Sequence, residues 1–173
     1  TATREWVSIY AVPEPQMDGD YEADRFWHFP VRYPNGPRDA EALVVSPAGD
    51  AFWIFEKDED GRVSAFHHAG PLVDGQETIL EKSEKFDAPG INVERGRMIT
   101  AADLHPTGKR LLIRVYTGIY EYRFGLGQGP MNLSEITPEL VTFGPLSEPQ
   151  GEALAYDGTG KGIVSISEDP SGQ

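Results

Sequence analysis

An all-β fold is predicted by three features of this chain: short apolar runs, turn-forming residues between them, and a nine-residue pattern that occurs three times. Its 19 Gly and 14 Pro suit tight turns between strands and sit poorly inside helices. With 39% hydrophobic residues, the 173-residue chain can fill one core and is short for two.

The elements follow in order. Residues 6–12 alternate as a strand and stop at Pro13-Glu14-Pro15, and a polar loop runs over 16–20. Residues 26–31 are extended, and Tyr33-Pro34-Asn35-Gly36-Pro37 is a turn. Apolar runs at 42–45 and 51–55 flank Ser46-Pro47-Ala48-Gly49-Asp50. A second hairpin turn, Asp58-Glu59-Asp60-Gly61, leads into a strand at 62–66. A looser charged stretch up to Gly96 holds one strand at 77–80. Strands resume at 98–104, 110–116 and 119–124, and the turn Gly125-Leu126-Gly127-Gln128-Gly129 follows. Leu133, Ile136 and Leu140 have helical spacing, with Asn132 or Ser134 as N-cap and Pro138 limiting the helix to about a turn. The last strands fall at 153–156 and 162–167.

The internal pattern narrows the architecture. Glu41-Ala42-Leu43-Val44-Val45-Ser46-Pro47-Ala48-Gly49 aligns without a gap on Glu152-Ala153-Leu154-Ala155-Tyr156-Asp157-Gly158-Thr159-Gly160. Thr100-Ala101-Ala102-Asp103-Leu104-His105-Pro106-Thr107-Gly108 fits the same register, and each copy leads into a second apolar run. The interval between copies is near that of a four-stranded propeller blade, whereas a β-sandwich gives no reason for one motif three times. The expectation is a β-propeller portion of about three four-stranded blades, at 1–66, 67–124 and 125–173. Such a ring is incomplete within this chain and would expose sheet faces and edges. A companion chain or a missing segment is expected to complete it, in preference to self-assembly. The opening Thr1-Ala2-Thr3-Arg4, without an initiator Met, leads to the expectation of a mature, trimmed or excerpted product.

Four segments carry a resemblance to a known family. Tyr33-Pro34-Asn35-Gly36-Pro37-Arg38-Asp39-Ala40-Glu41-Ala42-Leu43 resembles the "YPDGPRDAEAL" segment of a family of secreted bacterial propeller proteins, mostly called hypothetical. Residues 99–110 resemble its "VTGADISPDGRR" blade, Pro149 to Tyr156 its "QGEAIAF" blade, and Ile9 to Pro15 its "VYRVPEP" segment. The family's "WEDIA" strand and "GDIGDN" turn are absent, and His105 and Thr107 replace its usual Ser and Asp. The resemblance implies a secreted or periplasmic location. It also implies distant kinship with phytase-like and lactonase-like propellers, whose clefts often hold calcium; it transfers no reaction.

A formal charge of -13 argues against nucleic-acid binding and attraction to anionic membranes. No apolar run approaches the length needed to insert into a membrane. With no cysteine, disulfides, thiolate zinc sites and cysteine nucleophiles are excluded. If the first strand of each blade lines a channel, Glu41 and Glu152 occupy equivalent positions there, with Asp103 further along its copy and Asp39 beside Glu41. These four carboxylates are the candidate metal ligands, for Ca2+ by the chemistry of hard cations. The alternative is that they cap turns or pair with Arg38 or Arg114. Lys57, Arg114 and Glu168, at the far ends of second strands, are candidate substrate contacts or else solvated strand ends. Asp58, Asp60 and Gly61 lack the downstream Glu of a calcium loop, and the four histidines lack metal-ligand spacing. Trp6, Trp27 and Trp53 are expected to pack between blades. With no nucleophile elbow and no nucleotide-binding glycine fingerprint, a non-catalytic binding scaffold is the preferred reading, with a metal-dependent hydrolase as the alternative.

Overall fold

The computed structural model describes residues 4–14, 22–141 and 151–168. It is all-β, with several sheets, none of them closed on itself. β1 (Val7–Ala11) pairs antiparallel with β2 (Trp27–Arg32). β3 (Ala40–Val45) and β4 (Ala51–Glu56) form a hairpin. The chain then turns through β5 (Arg62–Val63) into β6 (Ala65–Ala69), which runs back along β4. Three short strands follow: β7 (Thr78–Ile79) on β2, β8 (Glu81–Lys82) on β6, and β9 (Phe86–Asp87) on β5. β10 (Ile99–Leu104), β11 (Arg110–Val115) and β12 (Gly118–Arg123) form a meander, which β13 (Glu139–Leu140) extends. β14 (Gly151–Tyr156) and β15 (Ile163–Ser167) close the described chain as a hairpin.

The sheets stack face to face, because each strand alternates its apolar residues between two neighbours. Val31, Tyr33, Phe52, Ile54 and Phe66 join the β1–β2 sheet to the β3–β4–β6–β8 sheet. Val44, Phe55, Ile99, Leu111 and Ile113 join that sheet to β10–β11–β12–β13. Ala101, Leu112, Ile119, Leu154 and Tyr156 join the latter to β14–β15. As a result, β3, β10 and β14 lie side by side.

The hairpins β3–β4, β10–β11 and β14–β15 share one geometry. Their registers include Val44↔Trp53, Asp103↔Leu112 and Ala155↔Val164, and each shifts at one place, between 40 and 42, 99 and 101, and 151 and 153. Their turns also coincide: Gly49, Gly108 and Gly160 sit at φ 71, 69 and 68, and each donates its N–H three residues back, to Ser46, His105 and Asp157. Only glycine adopts that left-handed conformation without steric cost, so the turn glycines fix the loop length and, through it, the register.

Local expectations are corrected in three places. The helix is a 3-10 helix at Pro130–Glu135, earlier than the apolar spacing suggests, and Leu140 lies in β13 opposite Tyr120. Pro130 has the fixed φ and missing N–H suited to a first turn, and the Gly129 N–H donates to Asn132 Oδ1 at 3.2 Å. The strand expected at 62–66 divides at Ser64: β5 pairs with β9, and β6 pairs with β4. Residues 77–80 also divide, because Leu80 is buried between two strands that join different sheets and its N–H donates to the Arg32 carbonyl.

Candidate functional site

The shared hairpin geometry sets up a site at one end of the three hairpins. The extra residue at each register shift is Glu41, Thr100 or Glu152. The residue after each second strand is Lys57, Tyr116 or Glu168. A β-bulge re-aims its side chain, which is how strand residues come to project at a sheet end.

There the side chains form a chain of contacts. Lys57 Nζ donates to Glu41 Oε2 at 2.5 Å and to the Tyr116 hydroxyl at 3.3 Å. The Tyr116 hydroxyl donates to Glu152 Oε1 at 3.2 Å. Lys57 Nζ also stands 5.4 Å from the centroid of the Tyr116 ring, over its negative face. These groups line an open recess of about 510 Å³, together with Ala153, Ile166, Ser167 and Glu168. The Lys57 side chain is 9% exposed. Burial works to lower its pKa, but the hydrogen bonds to Glu41 and Tyr116 outweigh it and hold the ammonium above its ordinary value.

The structure thus brings Glu41, Glu152, Lys57 and Glu168 together and places the other candidates elsewhere. Asp103 lies in the seam between β10 and β14, where its Oδ2 accepts the Tyr156 N–H at 2.7 Å. Burial raises its pKa, partly offset by the backbone N–H groups of Tyr156 and Leu104. Asp39 is exposed, and its backbone carbonyl accepts the Lys57 N–H at 2.8 Å. Arg114 is buried on the face toward β14, donates to Ser165 Oγ, and lies across Gly151. Thr100, at the third bulge, donates to the Gly151 carbonyl at 2.8 Å. Tyr116 joins the recess unanticipated, although the gap-free alignment already sets it at the position of Lys57.

Other singled-out residues have structural surroundings. His105 is buried, with Nδ1 2.8 Å from Thr107 Oγ1 and Nε2 3.1 Å from the Gly160 carbonyl. His67 stacks on Trp53, and His68 lies beside Phe52 on the opposite face of the sheet. Trp6 and Trp27 lie under Arg32 and Arg25. Asp58 to Gly61 is a tight turn closed by the Gly61 N–H on the Asp58 carbonyl.

A hard cation needs six or more oxygens. Among the described residues, no three His, Asp or Glu side chains stand together closely enough to hold a metal ion. A cation at Glu41 would first have to displace the Lys57 ammonium. As placed, these groups do not fit a calcium site. No helix among the described residues is long and apolar enough to cross a membrane. No protein-family model matches the chain, and no curated protein matches it.

Proposed function

We propose that the chain is part of a secreted β-propeller that acts as a non-catalytic binding module, with the Glu41–Lys57–Tyr116–Glu152 recess receiving a basic group of a ligand or partner protein. The observation that carries this reading is the continuous contact chain across three equivalent hairpins, which presents two carboxylates, one ammonium and a phenol at one sheet end, with the carboxylate of Glu168 lining the same recess. The -13 charge of the chain favours a cationic ligand over an anionic one. Among the described residues that line the recess there is no histidine, so these residues offer no imidazole as a general base. The side-by-side β3, β10 and β14, each heading a sheet, support their reading as the inner strands of successive blades.

The test is calorimetric titration with an acetylated Lys-Arg-Lys-Arg amide, using an acidic peptide as control. The expected result is salt-sensitive binding of the basic peptide alone, weakened about tenfold in Glu168→Gln, as loss of one charged hydrogen bond implies. Equal binding by parent and variant would remove the reading. Chelator-sensitive calcium binding that is lost in Glu41→Gln would put the metal-dependent hydrolase in its place.

A further inference from the structure

The β5–β9 ribbon and the 3-10 helix stand outside the three repeated hairpins, and residues of both line a second recess. It measures about 270 Å³ and shares no lining residue with the recess at Glu41 and Lys57. Arg62 lies directly opposite Asp87 in the ribbon, and Lys85 comes two residues before Asp87. Residues directly opposite, or two apart along a strand, share a face, so these three charged groups stand on one side of the ribbon. Val63 and Phe86, the alternate residues, are buried. Ser134 of the helix and Thr137 beyond it add hydroxyl groups to the lining.

The donors of this recess lack acceptors among the described residues. Tyr122 lines it and is only 1% exposed, yet its hydroxyl has no hydrogen-bond partner there. The phenol of Tyr156, by contrast, donates to Glu121 at 2.9 Å. A buried hydroxyl without an acceptor is costly, and an acceptor entering the recess would relieve that cost. Burial also raises the pKa of Tyr122, so its hydroxyl stays protonated and able to donate. Arg62 makes no ion pair among the described residues. Lys85 donates to the Arg62 carbonyl at 3.1 Å, which leaves two of its three N–H groups. Asp87, the one carboxylate among the described lining residues, pairs with Arg97 Nη2 at 3.3 Å.

We propose that this recess is a binding site for a small phosphate monoester, held by Arg62, Lys85 and the hydroxyls of Tyr122, Ser134 and Thr137. A carboxylate has about four lone-pair sites, fewer than these five groups supply. A phosphate offers three strong acceptor oxygens and a charge of about -1.5 to -2, and the planar fork of arginine meets two of those oxygens at once. Phe86 and Leu133 give the organic part an apolar wall. The volume is just under the roughly 300 Å³ at which drug-sized sites begin, so the ligand is small. The -13 charge of the chain opposes an anion at long range, so affinity comes from the donors placed around the recess. The site lies within the described sheets and stands whether or not they belong to a ring.

Calorimetric titration of the whole chain with phenyl phosphate tests the site, with benzoate as the carboxylate control. Phenyl phosphate should bind saturably, and about tenfold more weakly to Arg62→Gln, as loss of one charged hydrogen bond implies. Arg62 is exposed, so this variant keeps the fold. Tyr122→Phe retains the buried ring and removes only the hydroxyl. It should weaken binding about threefold to tenfold, with its melting temperature reporting that the core is intact. No saturable binding, or equal binding by the parent and Arg62→Gln, would overturn the proposal. Unchanged affinity in a folded Tyr122→Phe would reduce the recess to surface charge and overturn it as well. Benzoate bound as tightly as phenyl phosphate would overturn the phosphate class.

Discussion

Asp103 and Lys57 show how burial and partners divide one set of charged residues into different roles. Asp103 is raised by burial, so the folded state holds its proton more tightly than the unfolded chain does. Its ionisation therefore costs stability, and its contribution is fully present at low pH and lost as pH rises through the folded pKa. Asp103→Asn keeps an oxygen for the Tyr156 N–H. It is expected to flatten this part of the pH dependence and to be no less stable than the parent at neutral pH, as read from urea midpoints across the carboxylate range. Lys57 behaves in the opposite sense because its partners outweigh its burial. Tyr116→Phe removes the hydroxyl that links it to Glu152 and should cost about 0.5–1.5 kcal/mol. A double-mutant cycle with Lys57→Met should show coupling between the two positions; strict additivity would mean that the contact chain is energetically absent.

The hairpin is the element in which sequence and structure agree most closely, and Gly151 tests its packing. A Cβ on Gly151 would fall on the Arg114 guanidinium, which lies across it. Gly151→Ala should therefore cost about 1–3 kcal/mol by overpacking, seen as a lower melting temperature, with part of the loss recovered on adding Arg114→Ala. The turn glycines and the apolar alternation were legible in the sequence because one left-handed residue and a period of two determine a hairpin locally. The same alignment held the recess, since equivalent bulges and strand ends must project at equivalent places. Arg114 was not legible as a packing residue: its sequence signal is that of a strand-end charge, and only the absent side chain of Gly151 on another sheet makes room for it. The division of 62–66 at Ser64 was hidden for the same reason, since β9, its partner, lies beyond a charged loop. The division expected at 66 falls inside β6.

Across the whole molecule, three apolar seams join successive sheets while the surface carries a large negative charge. Self-repulsion of that charge opposes compaction and is screened by salt. The melting temperature should rise between low and moderate sodium chloride concentrations, and a flat or falling profile would show that the acidic residues are locally compensated. In the propeller proposed above, β3, β10 and β14 are equivalent inner strands around one axis. Crystallography of the chain in its solution assembly tests this most directly. The expected result is these three strands as neighbours along a central channel, with Glu41, Tyr116 and Glu152 at the same mouth. Sheets packed as a flat sandwich, with those three side chains on different faces, would contradict it.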